Sequence, residues 1–186
     1  MKTNIKIIKL LLRNKQDRFT IKKIADTLNI NYRIVYEQVS KLEKEGLLLI
    51  TKVGNSKVCE FTYKFNPNVY EAEHERRNDL SKDFLVMQNR LSELNFCFIA
   101  LLFGSHAKNT ANKHSDIDIL TIGGDEKEIR SIISLLPDKI HLTAITCKDF
   151  IHMAKSKEFT VVSEVIKNNI ILLGIEEYYR LIKNAG

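Results

Sequence analysis

The chain has 186 residues, of which 44% are hydrophobic and 28% charged, with only two prolines and seven glycines. That length and balance suit two small folded domains and exclude a low-complexity chain or one with long disordered linkers. With 29 Lys and Arg against 23 Asp and Glu, the net charge of +6 favours a polyanionic partner.

In chain order, the leading segment predicts a helix over Thr3 to Arg13, with Ile5, Ile8, Leu11 and Leu12 on one face. Phe19 to Ile30 predicts a second helix, capped by Thr20 and presenting Ile21, Ile24, Ala25 and Leu28. Asn29-Ile30-Asn31 forms a tight break, after which Asn31 caps a third helix over Tyr32 to Glu45. Its apolar residues Ile34, Val35, Val39 and Leu42 are expected to pack inward. The opposite face carries Tyr32, Arg33, Tyr36, Gln38 and Lys41, and Gly46 stands where a left-handed cap ends a helix. Leu47 to Val53, the turn Gly54-Asn55-Ser56-Lys57, and Val58 to Phe65 then predict a β-hairpin with a basic tip.

Asn66-Pro67-Asn68 breaks the hairpin, and the highly charged Glu71 to Asp79 predicts a linker or connecting helix. Leu80, Phe84, Met87, Leu91 and Leu94 follow at steps of four and three. This is an amphipathic helix whose seam suits either a sheet or a second copy of the chain, and covering a sheet is the preferred use. Charge divides at the same place. Up to Asn66 there are 14 Lys and Arg against 6 Asp and Glu, leaving 15 against 17 for the remainder. The basic excess therefore belongs to the first module, which favours nucleic acid as its partner.

Phe96 to Phe103 is a short apolar run ended by Gly104-Ser105, and it predicts a buried strand. Asp116-Ile117-Asp118 opens another strand that continues through Ile119 and Ile122. Alternation at period two sends both carboxylates the same way. Two such acids repel, and a divalent cation removes the repulsion; Mg2+ takes hard oxygen ligands, usually one or two carboxylates together with substrate phosphates. Gly104 allows close backbone approach, the Ser105 hydroxyl and nearby N–H groups can hold a phosphate, and Lys108 can add a point charge. The pattern suits a metal-bound nucleoside triphosphate.

Phe103, Gly104, Ser105, Ala107, Lys108, Ser115, Asp116 and Asp118 match the hydrophobic strand, Gly-Ser turn and Ser-Asp-x-Asp spacing of the DNA polymerase β nucleotidyltransferase superfamily, in its minimal branch. The resemblance covers roughly residues 79 to 180. It implies a small α/β domain with a mixed sheet, with Asp116 and Asp118 as catalytic metal ligands for Mg2+ or Mn2+ and Gly104, Ser105, Lys108 and Ser115 around the nucleotide. The tail from Ser163 to Tyr179 is similar to the closing helix and strand of that family. A third family carboxylate is expected on a later strand, but Lys139 to Thr146 carries His141 at that position. Imidazole suits Mn2+ or zinc better than Mg2+, so the general base and a second metal are in question, with His141 a candidate metal ligand or a strand histidine facing a polar pocket. Asp138 and Asp149 lie nearby, off the preferred strand face. His106 stands where the family more often has Arg, which weakens phosphate grip near neutral pH.

The earlier order of helix, turn, helix and hairpin resembles the winged helix-turn-helix domain of bacterial and archaeal transcriptional regulators. That resemblance implies a second helix in the major groove and a wing on the backbone or minor groove. It makes Tyr32, Arg33, Tyr36, Gln38 and Lys41 candidate groove residues, with Lys52 and Lys57 on the wing. The expected fold class is thus α+β in two domains: a winged helix-turn-helix at 1–66, a linker or connecting helix at 67–79, and a nucleotidyltransferase-like domain at 80–186. The leading functional expectation is a double-stranded-DNA-binding regulator that binds NTP with a metal. An active NMP transferase acting on a protein, nucleic-acid or small-molecule hydroxyl is the alternative, and a ligand-free scaffold the third. Minimal nucleotidyltransferases often occur in toxin–antitoxin pairs, so the resemblance implies an antitoxin-like role with a partner toxin, and palindromic operators favour a homodimer.

Cys59, Cys97 and Cys147 are single and widely spaced, so no disulfide framework or metal pair follows. Lys9 interrupts a short N-terminal apolar stretch unlike a signal peptide, and no segment approaches a membrane span. A reduced, cytoplasmic compartment is expected.

Overall fold

Apolar periodicity and capping chemistry account for most of the elements in the computed structural model, which describes residues 1–136, 139–156 and 158–185. The chain divides into two compact units, Met1–Arg76 and Arg77–Gly186. No helix among the described residues is long and apolar enough to cross a membrane.

The first unit begins with α1 (Thr3–Arg13), which buries Ile5, Ile7, Ile8, Leu11 and Leu12. Phe19–Thr20 forms a short strand β1 rather than the start of a helix, pairing with Cys59 and Val58. The reason is local. Thr20 caps α2 (Ile21–Leu28) by accepting a hydrogen bond from the Lys23 backbone N–H, and a cap of this kind needs extended backbone, which leaves the preceding residue free to join a sheet. Asn29 closes α2 in the left-handed conformation. The next helix, α3 (Tyr32–Lys44), is capped by Asn31 and buries Val35, Val39 and Leu42. Ile34 does not pack inward as expected: it is 46% exposed, because the buried stripe is centred one residue, about 100°, away.

The wing consists of β2 (Leu48–Val53) and β3 (Ser56–Phe61), so Ser56 and Lys57 belong to a strand and only Gly54-Asn55 form the tip. The second strand also ends earlier than expected. Thr62 and Lys64 turn aside to donate hydrogen bonds to the carbonyls of Gly46 and Glu45, satisfying the exposed end of α3. The three strands form an antiparallel sheet in the order β1-β3-β2. The charged segment is helical: α4 (Pro67–Asn78) buries Val69 and Ala72, together with Glu73 and Arg76, which form an ion pair. Burial pushes the nearby Lys15 ammonium down to about 7, helped by Arg76 and opposed by Glu73.

The second unit is built on a four-stranded mixed sheet in the order β6-β5-β4-β7. Its elements are α5 (Lys82–Ser92), β4 (Ile99–Phe103), α6 (Gly104–Ala107), β5 (Ile117–Ile122), α7 (Glu126–Ser134), β6 (Ile140–Ile145), α8 (Cys147–Lys155), α9 (Val161–Lys167), β7 (Ile170–Leu173) and α10 (Ile175–Ala185). β4 is antiparallel to both β5 and β7, while β5 and β6 run parallel across the α7 connection. Phe84, Met87 and Leu91 of α5 share one core with Ala100, Leu102, Ile119, Ile129 and Leu172, with Leu80 and Leu94 packed at its edge. The amphipathic seam thus covers the sheet. The fold is α+β in both units, and the closing α10 lies beyond the helix and strand expected for the tail.

Candidate functional site

All five residues of β4 are buried, so the strand delivers Gly104 at a fixed place beside β5. Register pairs Phe103 with Asp118. Gly104 has φ +67°, and a Cβ there would lie 2.1 Å from Asp118 Oδ2. Any side chain would therefore collide with the carboxylate while straining a left-handed backbone. The one-turn helix α6 follows directly, held by Lys108 N–H donating to the Gly104 carbonyl and Thr110 N–H donating to the Ser105 carbonyl.

Asp116 and Asp118 are partly exposed and alternate with the buried Ile117 and Ile119. The neighbouring strand answers them with basic groups. Parallel pairing sets His141 against Asp118, and the Ile117 N–H donates to the Lys139 carbonyl, which brings Lys139 alongside Asp116. Lys139 Nζ is 2.8 Å from Asp116 Oδ2, and His141 Nδ1 is 3.5 Å from Asp118 Oδ1. Among the described residues, no three His, Cys, Asp or Glu gather into a set able to hold a metal. His141 faces Asp118 from β6. The donor set nevertheless suits a hard cation that keeps other ligands: two carboxylates, a backbone cradle that a Cβ would fill, and an ammonium already standing in at Asp116.

The other expected residues have partners of their own. Lys108 Nζ is 2.8 Å from Glu164 Oε1 on α9. The Ser115 hydroxyl accepts from the Asn112 N–H, organising the loop between turn and strand, and its carbonyl is 3.3 Å from His106 Nε2. His106 also meets the Phe84 ring edge-on. Asp149 is not a hidden third acid: it closes the capping box of α8, where hydrogen bonds from Thr146 hold its carboxyl below the usual range. Asp138 lies outside the described residues. Lys139 and Glu164 join the candidate site through contacts that no local motif of the sequence marks. A Lys-x-His repeat shares the period of Asp-x-Asp, but its meaning depends on strand register.

In the first unit, α3 and the wing meet through Tyr36. Lys57 Nζ lies 5.2 Å above the Tyr36 ring, and Tyr32 stacks on Tyr36 at 6.3 Å. Arg33 is exposed beside them and pairs with Glu37. Lys52 is directly opposite Lys57 across the hairpin. Gln38 and Lys41 are not part of this group: with Lys2, Thr3, Asn4, Leu42 and Glu45 they line a depression at the start of α1.

The two units thus define a helix-turn-helix module with a wing, followed by a mixed-sheet domain of nucleotidyltransferase type. Residues 87–178 match the family described as polymerase beta, nucleotidyltransferase, and residues 4–56 match the family described as HTH domain. The chain therefore joins an N-terminal HTH domain to a C-terminal nucleotidyltransferase domain of the polymerase β superfamily. No curated relative matches the chain.

Proposed function

We propose that the protein is a DNA-binding regulator whose winged domain holds double-stranded DNA and whose second domain binds an NTP with a divalent cation. The observation that carries the DNA half is the juxtaposition of Lys57 with Tyr36, beside Tyr32 and Arg33. It makes one surface from helix and wing, with aromatic and cationic groups suited to a phosphate backbone and groove. Phosphate contacts by Lys52 and Lys57 release counterions, so affinity falls steeply with salt.

In the second domain, Asp116 and Asp118 would hold Mg2+ or Mn2+, with substrate phosphates supplying further oxygens. When bound, the ion supplies neutralisation of phosphate charge. The Gly104-Ser105 turn would admit a phosphate close to the backbone, and Lys108 would exchange Glu164 for that phosphate. A second reading is active NMP transfer to a hydroxyl with loss of pyrophosphate, which the nucleotidyltransferase family match over residues 87–178 supports.

Fluorescence anisotropy with a random duplex at low salt tests the DNA half, and absent binding sinks it. Calorimetric titration of NTP with Mg2+ or Mn2+ into wild type and Asp116→Asn/Asp118→Asn tests the nucleotide half; equal binding by both proteins removes it. Labelled-NTP incubation separates the readings, because transfer lost in the double variant establishes the enzyme.

A further inference from the structure

The two acids of the candidate site do not stand alone: Lys139, just before β6, reaches Asp116, and His141 of β6 lies opposite Asp118 in parallel register. The candidate phosphate lysine, Lys108, is likewise held, by Glu164. The site is thus paired within its own chain at three points. The Asp116 pair is the one best suited to exchange. Lys139 is 83% exposed and Asp116 41%, so the ion pair is hydrated and weak. Its backbone, by contrast, is anchored through the Ile117 N–H bond to the Lys139 carbonyl.

We infer that Lys139 is a tethered counter-cation that competes with the divalent ion for Asp116, so that metal alone binds more weakly than metal that arrives with nucleotide. This rests on the metal–nucleotide reading given above. A divalent ion approaching the free protein must displace an ammonium already 2.8 Å from one of its ligand oxygens. When a triphosphate arrives as well, the displaced ammonium gains a new anionic partner on a flexible stem, so its release costs less. The residue therefore acts through Asp116 as a positioning group and biases loading toward metal that arrives with nucleotide.

The test uses the full chain and Mn2+ alone, following the free-ion signal by electron paramagnetic resonance, then repeats the titration with a non-hydrolysable ATP analogue. Without nucleotide, Lys139→Met should bind Mn2+ about two- to fivefold tighter than wild type, the range set by releasing a hydrated ion pair. Lys139→Arg, which keeps the charge, should stay near wild type. The analogue should tighten Mn2+ binding by a larger factor in wild type than in Lys139→Met. Equal or weaker Mn2+ binding by Lys139→Met overturns the inference, provided Asp116→Asn weakens binding; the metal reading then survives. Mn2+ binding indifferent to Asp116→Asn overturns both. Melting temperatures of all variants check that the exposed substitutions leave the fold intact.

Discussion

Gly104 shows how one residue can carry both fold and chemistry. Its backbone is left-handed and its absent side chain is the space in which Asp118 sits. Gly104→Ala should cost about 1–2 kcal/mol from backbone strain and displace Asp118, so the urea midpoint should fall and NTP–metal binding should be lost. An alanine variant that retains both would remove the argument. Lys15 supplies a second test at this scale. Its folded pKa, about 7, lies below the ordinary lysine value, so between about pH 7 and the ordinary lysine range the unfolded chain binds more protons. Stability should then rise with pH through that window. Above about pH 9 the raised Cys59 thiol and Tyr63 phenol act in the opposite sense, since unfolding lets them ionise. Urea midpoints for wild type and Lys15→Met between about pH 6 and pH 9 check this: wild type should climb, and the variant should lose the slope.

Among elements, the wing illustrates a stability cost kept at an exposed position. Lys52 and Lys57 oppose each other across β2 and β3, and like charges so placed are unfavourable by roughly 0.2–1 kcal/mol. Lys52→Ala should therefore raise thermal stability slightly while weakening duplex binding and reducing the salt slope by about one. An unchanged duplex affinity and salt slope would argue against a phosphate contact. Much of the wing was legible in advance because Gly54-Asn55 and the flanking β-branched residues declare a hairpin. Its length was not, since only the fold reveals that Thr62 and Lys64 are used to cap α3. In the same way, the charged run through Glu71 to Asp79 gave no apolar stripe from which to foresee the burial of Glu73 and Arg76 in α4.

For the whole molecule, the basic excess lies before Asn66, so the salt dependence of DNA binding should be a property of the first unit. Asp116→Asn/Asp118→Asn should leave the salt slope measured by anisotropy unchanged while abolishing NTP–metal binding; a changed slope would mean that the acids contribute to the DNA contact. Capping residues, apolar periodicity and motif spacing were sufficient to locate most elements, because helix ends, tight turns and period-two carboxylates are local consequences of residue chemistry; both domain types then followed from the resemblance of that order and those motifs to known families. Tertiary structure alone decided that Lys139 faces Asp116, and that Tyr36 meets Lys57 while Gln38 and Lys41 turn toward α1. Those relations depend on strand register and helix rotation. Both are set by packing between segments distant in the chain, which local residue patterns do not specify.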